Sequence, residues 1–245
     1  GNEQILKYKF SLNRNGSVYD IKEIKSLTDK YYNSYNAISD VKIYEMNVDK
    51  PTQMDTQQML QLKNIYLAPY MQLATELIGK ARHAGGNMFR HQIDTMAILI
   101  DYGYIDSVLL KAACVHDVIE DIPGFDHERV KNIDDDGNEV YKLVMEVTKK
   151  EGQSKADFLH GIIDEGSQNA KILKCADRIS NMISLGFVTN PAFIERYCDE
   201  TEYFILPIAI EVDYNMYQEL INLIITRRKY LEDSGYIEKK KKGLL

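Results

Sequence analysis

The chain has 245 residues with 44% hydrophobic content, enough to bury a full core, and this length fits one catalytic body with at most a small appendage. A net charge of −7 and a pI near 5.3 argue against a nucleic acid surface, which needs a concentrated positive stripe; a small anionic substrate stays open, because a metal supplies charge locally. No run reaches ~18 uncharged apolar residues, no signal-type run opens the chain, and Cys114, Cys175 and Cys198 read as reduced buried thiols, so a cytoplasmic protein without membrane contact is expected.

Residues 1–55 are rich in Tyr, Asn, Ser and Lys. Leu6, Tyr8, Phe10 and Leu12 alternate ahead of Asn15-Gly16 in a β-hairpin pattern, while Val18, Ile21, Ile24 and Leu27 favour a helix, and the segment is set apart as an N-terminal appendage of unassigned role. From Gln57, the residues Met59, Leu62, Tyr66, Tyr70, Leu73, Leu77 and Ala81 recur in steps of three and four, predicting an amphipathic helix that Gly85-Gly86 ends. The next helix, from about His91 to Tyr102, is apolar on nearly every side through Met96 to Ile100 and belongs at the centre. Asp106 is placed to cap a third helix that runs to Asp121 and is stopped by Pro123-Gly124. The acidic stretch Asp134 to Glu139 lacks EF-hand spacing and reads as a turn capping the following helix. Helical patterns then cover roughly 137–149, 154–165, 169–185, 191–212 and 214–233, with Pro207 kinking its helix and residues 236–245 forming a basic, frayed tail. Strand signals are confined to the appendage, so the body, 56–235, is expected to be all-α.

Chemistry enters where His116-Asp117-Val118-Ile119-Glu120-Asp121 interrupts the apolar run Leu109, Ala112, Ala113, Cys114 and Val115. On one continuous helix its four ionisable groups span an arc of about 140° and converge on a single site. Sixty residues beyond Asp117, the polar residues Lys174, Asp177, Asn181 and Ser184 share one helix face, opposite Leu173, Ile179 and Met182. His91 opens the most apolar helix, after the loop Arg82-His83-Ala84-Gly85-Gly86-Asn87. Taken alone, Asp177 reads as a solvated aspartate, and His91 equally as a hydrogen-bonded core histidine or as a metal ligand. The adjacent His116-Asp117 pair is harder to place without a metal, because charged groups are rarely buried unpaired. His91, His116, Asp117 and Asp177 together make a mixed nitrogen and oxygen set suited to a divalent first-row metal.

This order of residues resembles the HD superfamily of metal-dependent phosphohydrolases, and within it the RelA/SpoT-type alarmone hydrolases, including their small stand-alone members. Residues 116–121 are similar to that branch's HDxxED, Lys174-Cys175-Ala176-Asp177-Arg178-Ile179-Ser180-Asn181-Met182 to its KLADRxxNM, Glu146 to Lys149 to its EVT/VTK segment, and Glu200-Thr201 through Pro207-Ile208-Ala209 to its ET and PLA helix. The resemblance covers roughly residues 75–212. It implies an HD-type helical bundle, one Mn2+ on the four ligands, and hydrolysis of the 3′-pyrophosphate of ppGpp or pppGpp with release of pyrophosphate. It further implies that Glu120 and Asp121 position and activate the water, that Arg82 packs on the guanine, and that Asn181 and Ser184 bind the nucleoside. No synthetase domain is expected at this length.

The anionic end of such a substrate calls for cationic cover, for which Arg82, Lys149 and Lys174 are candidates, with His83 as a further substrate contact. The chain departs from the branch where Arg82-His83 replaces an Arg-Lys pair, where Met88-Phe89-Arg90-His91-Gln92 replaces Tyr-Ile-x-His-Pro, and where Ile205 stands for a tyrosine. Arg90 is the candidate substitute for the lost lysine. Three readings follow: an alarmone hydrolase; an HD-type enzyme acting on another nucleotide phosphate, such as a nicotinamide cofactor phosphate or a nucleoside monophosphate; and a nucleotide-sensing or interaction module with vestigial turnover. Fe2+ and Zn2+ accept the same ligands as Mn2+, and a homo-oligomer is compatible with any of the three.

Overall fold

A computed structural model describes residues 54–82 and 86–243, and every regular element among them is helical; the only β-type pairing there is one isolated bridge between Ala81 and Asn87. The hairpin expected near Asn15-Gly16, the competing helix over 18–32 and His83 lie outside the described residues.

The long amphipathic pattern after Gln57 is not one helix. It forms α1 (Thr56–Asn64), α2 (Ala68–Ala74) and a 3-10 turn (Thr75–Leu77), with Ile65 extended between the first two. Pro69 is the cause: it has no amide hydrogen to donate and its ring would clash with the Ile65 carbonyl, so it opens a new helix in the first turn instead of continuing the old one. Asp55 starts α1 with a reciprocal capping box to Gln58.

Helix α3 (Met88–Asp101) begins three residues ahead of the expected start, because Asn87 accepts from the Arg90 amide and caps it. It ends in a Schellman motif, with Gly103 at φ +78°, its amide on Ile100 O at 2.9 Å and the Tyr104 amide on Leu99 O at 3.0 Å. Asp106 caps α4 (Ser107–Val115) as expected, through the Leu109 amide at 2.8 Å. The helix predicted to run on to Asp121 breaks at His116-Asp117 and restarts as α5 (Val118–Asp121). After a short α6 (Glu128–Lys131), the acidic stretch leads into α7 (Gly137–Val147), but no side chain there caps it. Asp134 and Asp136 instead grip the buried Lys111 ammonium at 2.7 and 2.6 Å, and Tyr70 donates to Asp134 at 2.7 Å.

Helices α8 (Lys155–Glu165) and α9 (Gln168–Ser184) follow, capped by Ser154 and Ser167. The predicted 191–212 helix resolves into α10 (Pro191–Glu200), a π-helical turn (Thr201–Ile205) and α11 (Leu206–Val212). Pro207 accounts for this, since it removes the donor that α-helical pairing needs and the chain widens by one residue just upstream. Helix α12 (Tyr214–Asp233) matches its prediction. The basic tail does not simply fray, as α13 (Tyr236–Lys241) forms and places Lys240 Nζ 2.6 Å and the Tyr236 hydroxyl 3.1 Å from Glu195.

Helix α9 is the spine, packed against α3, α7, α11 and α12. Its Leu173, Cys175, Ala176, Ile179 and Met182 are fully buried, and burial of each large apolar side chain contributes about 1.5–3 kcal/mol. Arg227 of α12 donates to the Met182 and Ile183 carbonyls at 3.2 and 2.9 Å, satisfying orphan acceptors at the end of α9. The three cysteines are free and buried, and burial pushes the Cys114 thiol up to about 12. No helix among the described residues is long and apolar enough to cross a membrane.

Candidate metal centre

Two packed helices and one helix break bring the four predicted ligands together. Helix α3 carries His91, the α4–α5 break carries His116 and Asp117, and α9 carries Asp177. One ligand atom from each of His91, His116 and Asp177 lies within 4.8 Å of the others. Asp117 completes the group, its Oδ2 being 3.5 Å from His91 Nε2 and 3.3 Å from His116 Nε2. Asp177 Oδ1 is 3.0 Å from His91 Nε2 and 4.0 Å from His116 Nε2. The imidazoles meet edge to face with centroids 5.2 Å apart.

The hydrogen bonds around these side chains state what the cluster lacks. His116 is 4% exposed and its Nδ1 lies 2.9 Å from the Ala113 carbonyl, an acceptor, so that nitrogen carries the proton. Nε2 is then a lone pair, buried without a hydrogen-bond partner and facing two carboxylates. His91 Nδ1 lies 2.8 Å from Ser180 Oγ, a hydroxyl that can donate or accept, and its Nε2 is turned to the same carboxylates, 3.0 Å from Asp177 Oδ1. Lone pairs confronting anions in a buried space repel one another unless a cation lies between them. The donor set thus fits a divalent ion, and the bonds to Ala113 and Ser180 fix ring orientation as outer partners of metal-bound histidines do.

Asp177 receives Lys174 Nζ at 2.7 Å on Oδ2 and Asn181 Nδ2 at 2.6 Å on Oδ1. Burial alone would raise its pKa, but the opposing contributions, the Lys174 ammonium foremost, outweigh that and hold the carboxyl well below the usual range. Lys174 behaves reciprocally: burial opposes its charge, Asp177 restores it, and its pKa ends above the ordinary value.

The residues expected to touch substrate are brought together unevenly. Arg82 donates to Asn181 Oδ1 at 2.8 Å and to Ser184 Oγ at 3.1 Å, so these three form one chain that reaches Asp177 through Asn181. Glu120 accepts from the Lys149 backbone amide at 3.2 Å, whereas the expectation for Lys149 concerned its ammonium. Asp121 is ion-paired with Lys80 at 2.6 Å, and among the described residues no ion pair joins Glu120 or Asp121 to the four clustered side chains. The continuous-helix arc drawn through residues 116–121 is therefore corrected: the helix ends at Val115 and restarts at Val118, with His116 buried, Asp117 and Asp121 half-buried and Glu120 exposed. Arg90, the candidate substitute for the missing lysine, is well exposed and paired with Asp94 of its own helix at 3.5 Å. Ile205 is fully buried, so its replacement of a tyrosine falls in the core.

Sequence reasoning misses Lys80, Gln92 and Ser180. Gln92 carries a signal, a lone amide next to His91 in the most apolar helix; Lys80 is absorbed into a predicted helical periodicity that runs to Ala81, whereas the helical turn ends at Leu77. A surface groove of about 820 Å³ lined by Lys155, Arg196, Glu200, Glu202, Tyr203 and Phe204 contains none of the predicted site residues. Its Lys155 is paired with Glu200, and its Glu202 with Arg228.

No protein-family model matches the chain, and no curated protein matches it. Among solved structures, it is similar to one described as a metazoan ortholog of SpoT that hydrolyzes ppGpp and plays a role in starvation responses. The TM-score is 0.54, with 22% sequence identity over 79% of this chain and 99% of that one. The likeness is one of fold, and the described residues have the all-helical architecture expected from the sequence.

Proposed function

We propose that this chain is a divalent-metal-dependent phosphohydrolase whose substrate is ppGpp or pppGpp, cleaved at the 3′-pyrophosphate with release of pyrophosphate. The observation that carries the metal is the buried His116 Nε2, a lone pair with no donor to meet and two carboxylates in front of it. A bound divalent ion lowers the pKa of its water and polarises a phosphoryl oxygen, which makes a nucleophile available near neutral pH. Mn2+ is the proposed ion.

The chain's own groups do the rest. Glu120 and Asp121, an exposed and a half-buried carboxylate three and four residues beyond Asp117, would orient water and take its proton. The water oxygen bonds to the phosphorus on the ribose 3′ oxygen, that phosphorus–oxygen bond breaks, and the 3′ oxygen leaves with a proton. Arg82, Asn181 and Ser184 already hydrogen-bond one another and form the nucleoside side, while Lys149 and Lys174 add positive charge for the phosphates. The similar solved structure of a ppGpp-hydrolysing protein supports the substrate by analogy of fold.

A second reading, hydrolysis of another nucleotide phosphate, is favoured by one observation: Arg82-His83 stands where the resembled branch has an Arg-Lys pair, which removes a lysine from the expected base pocket. One assay separates them. Purified protein with Mn2+ is incubated with ppGpp, a nicotinamide cofactor phosphate and nucleoside monophosphates, and the products are chromatographed. Pyrophosphate from ppGpp alone supports the first reading, and inorganic phosphate from another substrate moves the assignment to the second. No turnover of any of them with Mn2+, Fe2+ or Zn2+ removes the enzymatic proposal.

A further inference from the structure

Gln92 is fully buried in α3, directly after His91, where a side-chain amide must find partners or cost about 1–3 kcal/mol. Both of its ends go to a single residue. Nε2 donates to Asp117 Oδ2 at 2.8 Å, and Oε1 accepts from the Asp117 backbone amide at 3.2 Å. That backbone amide sits at the break between α4 and α5, where the helical ladder is interrupted. The carboxylate oxygen Gln92 holds is the same Oδ2 that lies 3.5 and 3.3 Å from the two imidazole Nε2 atoms.

We propose that Gln92 is a positioning residue for the metal centre: its two-point clamp sets the direction of the Asp117 carboxylate and thereby the affinity of the site for a divalent cation. The inference rests on the metal reading above. Asp117 is the most exposed of the four ligands, its side chain 24% open, and the least restrained by packing, so a hydrogen bond has the most to contribute there. The choice of an amide matters. Asp177 is ion-paired to Lys174, which offsets its charge, whereas Gln92 donates to Asp117 without a charge and leaves that carboxylate anionic toward a cation. The two acids of the centre are thus held by different chemistry.

The test is a calorimetric titration of Mn2+ into the wild-type protein, Gln92→Met, which keeps the length of the side chain but neither hydrogen bond, and Gln92→Asn, which stays polar but falls a methylene short. Thermal unfolding without metal is recorded for each. Loss of an outer partner costs ~10–100-fold in metal affinity, and that weakening is expected in both variants. A folded variant that melts lower but binds Mn2+ as the wild type does shows a purely structural clamp and overturns the inference; Gln92→Asn provides that reading if Gln92→Met does not fold. Wild-type protein that binds no Mn2+ overturns the metal reading itself, and the two failures are told apart by which protein fails to bind.

Discussion

A buried imidazole with one nitrogen on a backbone carbonyl has a single lone pair left, and at His116 that lone pair meets carboxylate oxygens instead of a donor. The consequence can be separated into ligand and non-ligand roles. Asp117→Ala removes the oxygen that faces both rings and is expected to abolish measurable Mn2+ binding and turnover; a calorimetric trace matching the wild type would remove Asp117 from the ligand set. Glu120→Gln touches no member of the cluster and should keep Mn2+ affinity while lowering kcat by ~10²–10⁴, the usual contribution of a positioned acid or base, as read from pyrophosphate release at saturating substrate. His91, His116 and Asp117 are legible in the amino-acid sequence because they stand where apolar periodicity calls for core, and Asp177, on a polar helix face, is legible through the motif it shares with the resembled family. Two contacts in and beside the centre are not legible there. Ser180 on His91 and Lys80 on Asp121 are defined by contacts between elements distant in the chain, and neither residue type stands out in its own helix or loop.

Helix interiors are read from the sequence more readily than their interruptions, for one physical reason: periodicity reports which face is buried but not whether the ladder of backbone bonds is continuous. Val140, Leu143, Val144 and Val147 identify α7 from spacing alone, while Pro69 and the His116-Asp117 break divide patterns that look unbroken. Pro207 marks its own interruption, and its effect is local widening into a π turn. That turn adjoins a buried clamp in which Arg178 NH2 of α9 donates to Glu200 at 2.5 Å, Lys155 of α8 pairs with the same carboxylate at 2.8 Å, and the guanidinium covers the Tyr197 ring at 4.3 Å. Burial alone would raise the Glu200 pKa, but Arg178 and Lys155 outweigh it and bring it below its ordinary 4.5. A depressed carboxylate stabilises the fold above the unfolded value and loses that contribution as pH falls through the folded one. Glu200→Gln should therefore cost about 1–3 kcal/mol near neutral pH and flatten the decline in stability below pH 4.5, checked by urea unfolding across the acid range. At the start of α7, a Cβ on Gly137 would lie 2.3 Å from the Lys131 carbonyl oxygen, a backbone atom that cannot step aside. Gly137→Ala is expected to destabilise by ~1–3 kcal/mol, lowering the urea midpoint without changing the slope.

At the scale of the molecule, the putting together of α3, the α4–α5 break and α9 places like charges in contact before any cation arrives. Asp117 and Asp177 bring two carboxylates to one point, and only Asp177 is offset by a lysine within the cluster. The apolar contacts of α9 with α3 hold these elements together in spite of that, so the fold is expected to exist without metal and to be stabilised by it. The size of the gain follows from mass action: an ion that binds only the folded chain adds about 2.7 kcal/mol at a hundred times its Kd. For a chain of this length each kcal/mol moves the midpoint by roughly 2–4 °C, so saturating Mn2+ should raise Tm by about 5–11 °C over protein treated with chelator. Mg2+, which prefers an octahedral shell of oxygen, should raise it less than Mn2+, because two of the four groups offered here are imidazole nitrogens. The same melt on Asp117→Ala should show no Mn2+ dependence. If wild-type Tm is indifferent to Mn2+, Fe2+ and Zn2+ alike at millimolar concentration, the unpartnered lone pair of His116 is satisfied some other way, and the cluster is a structural feature of the core and not a metal centre.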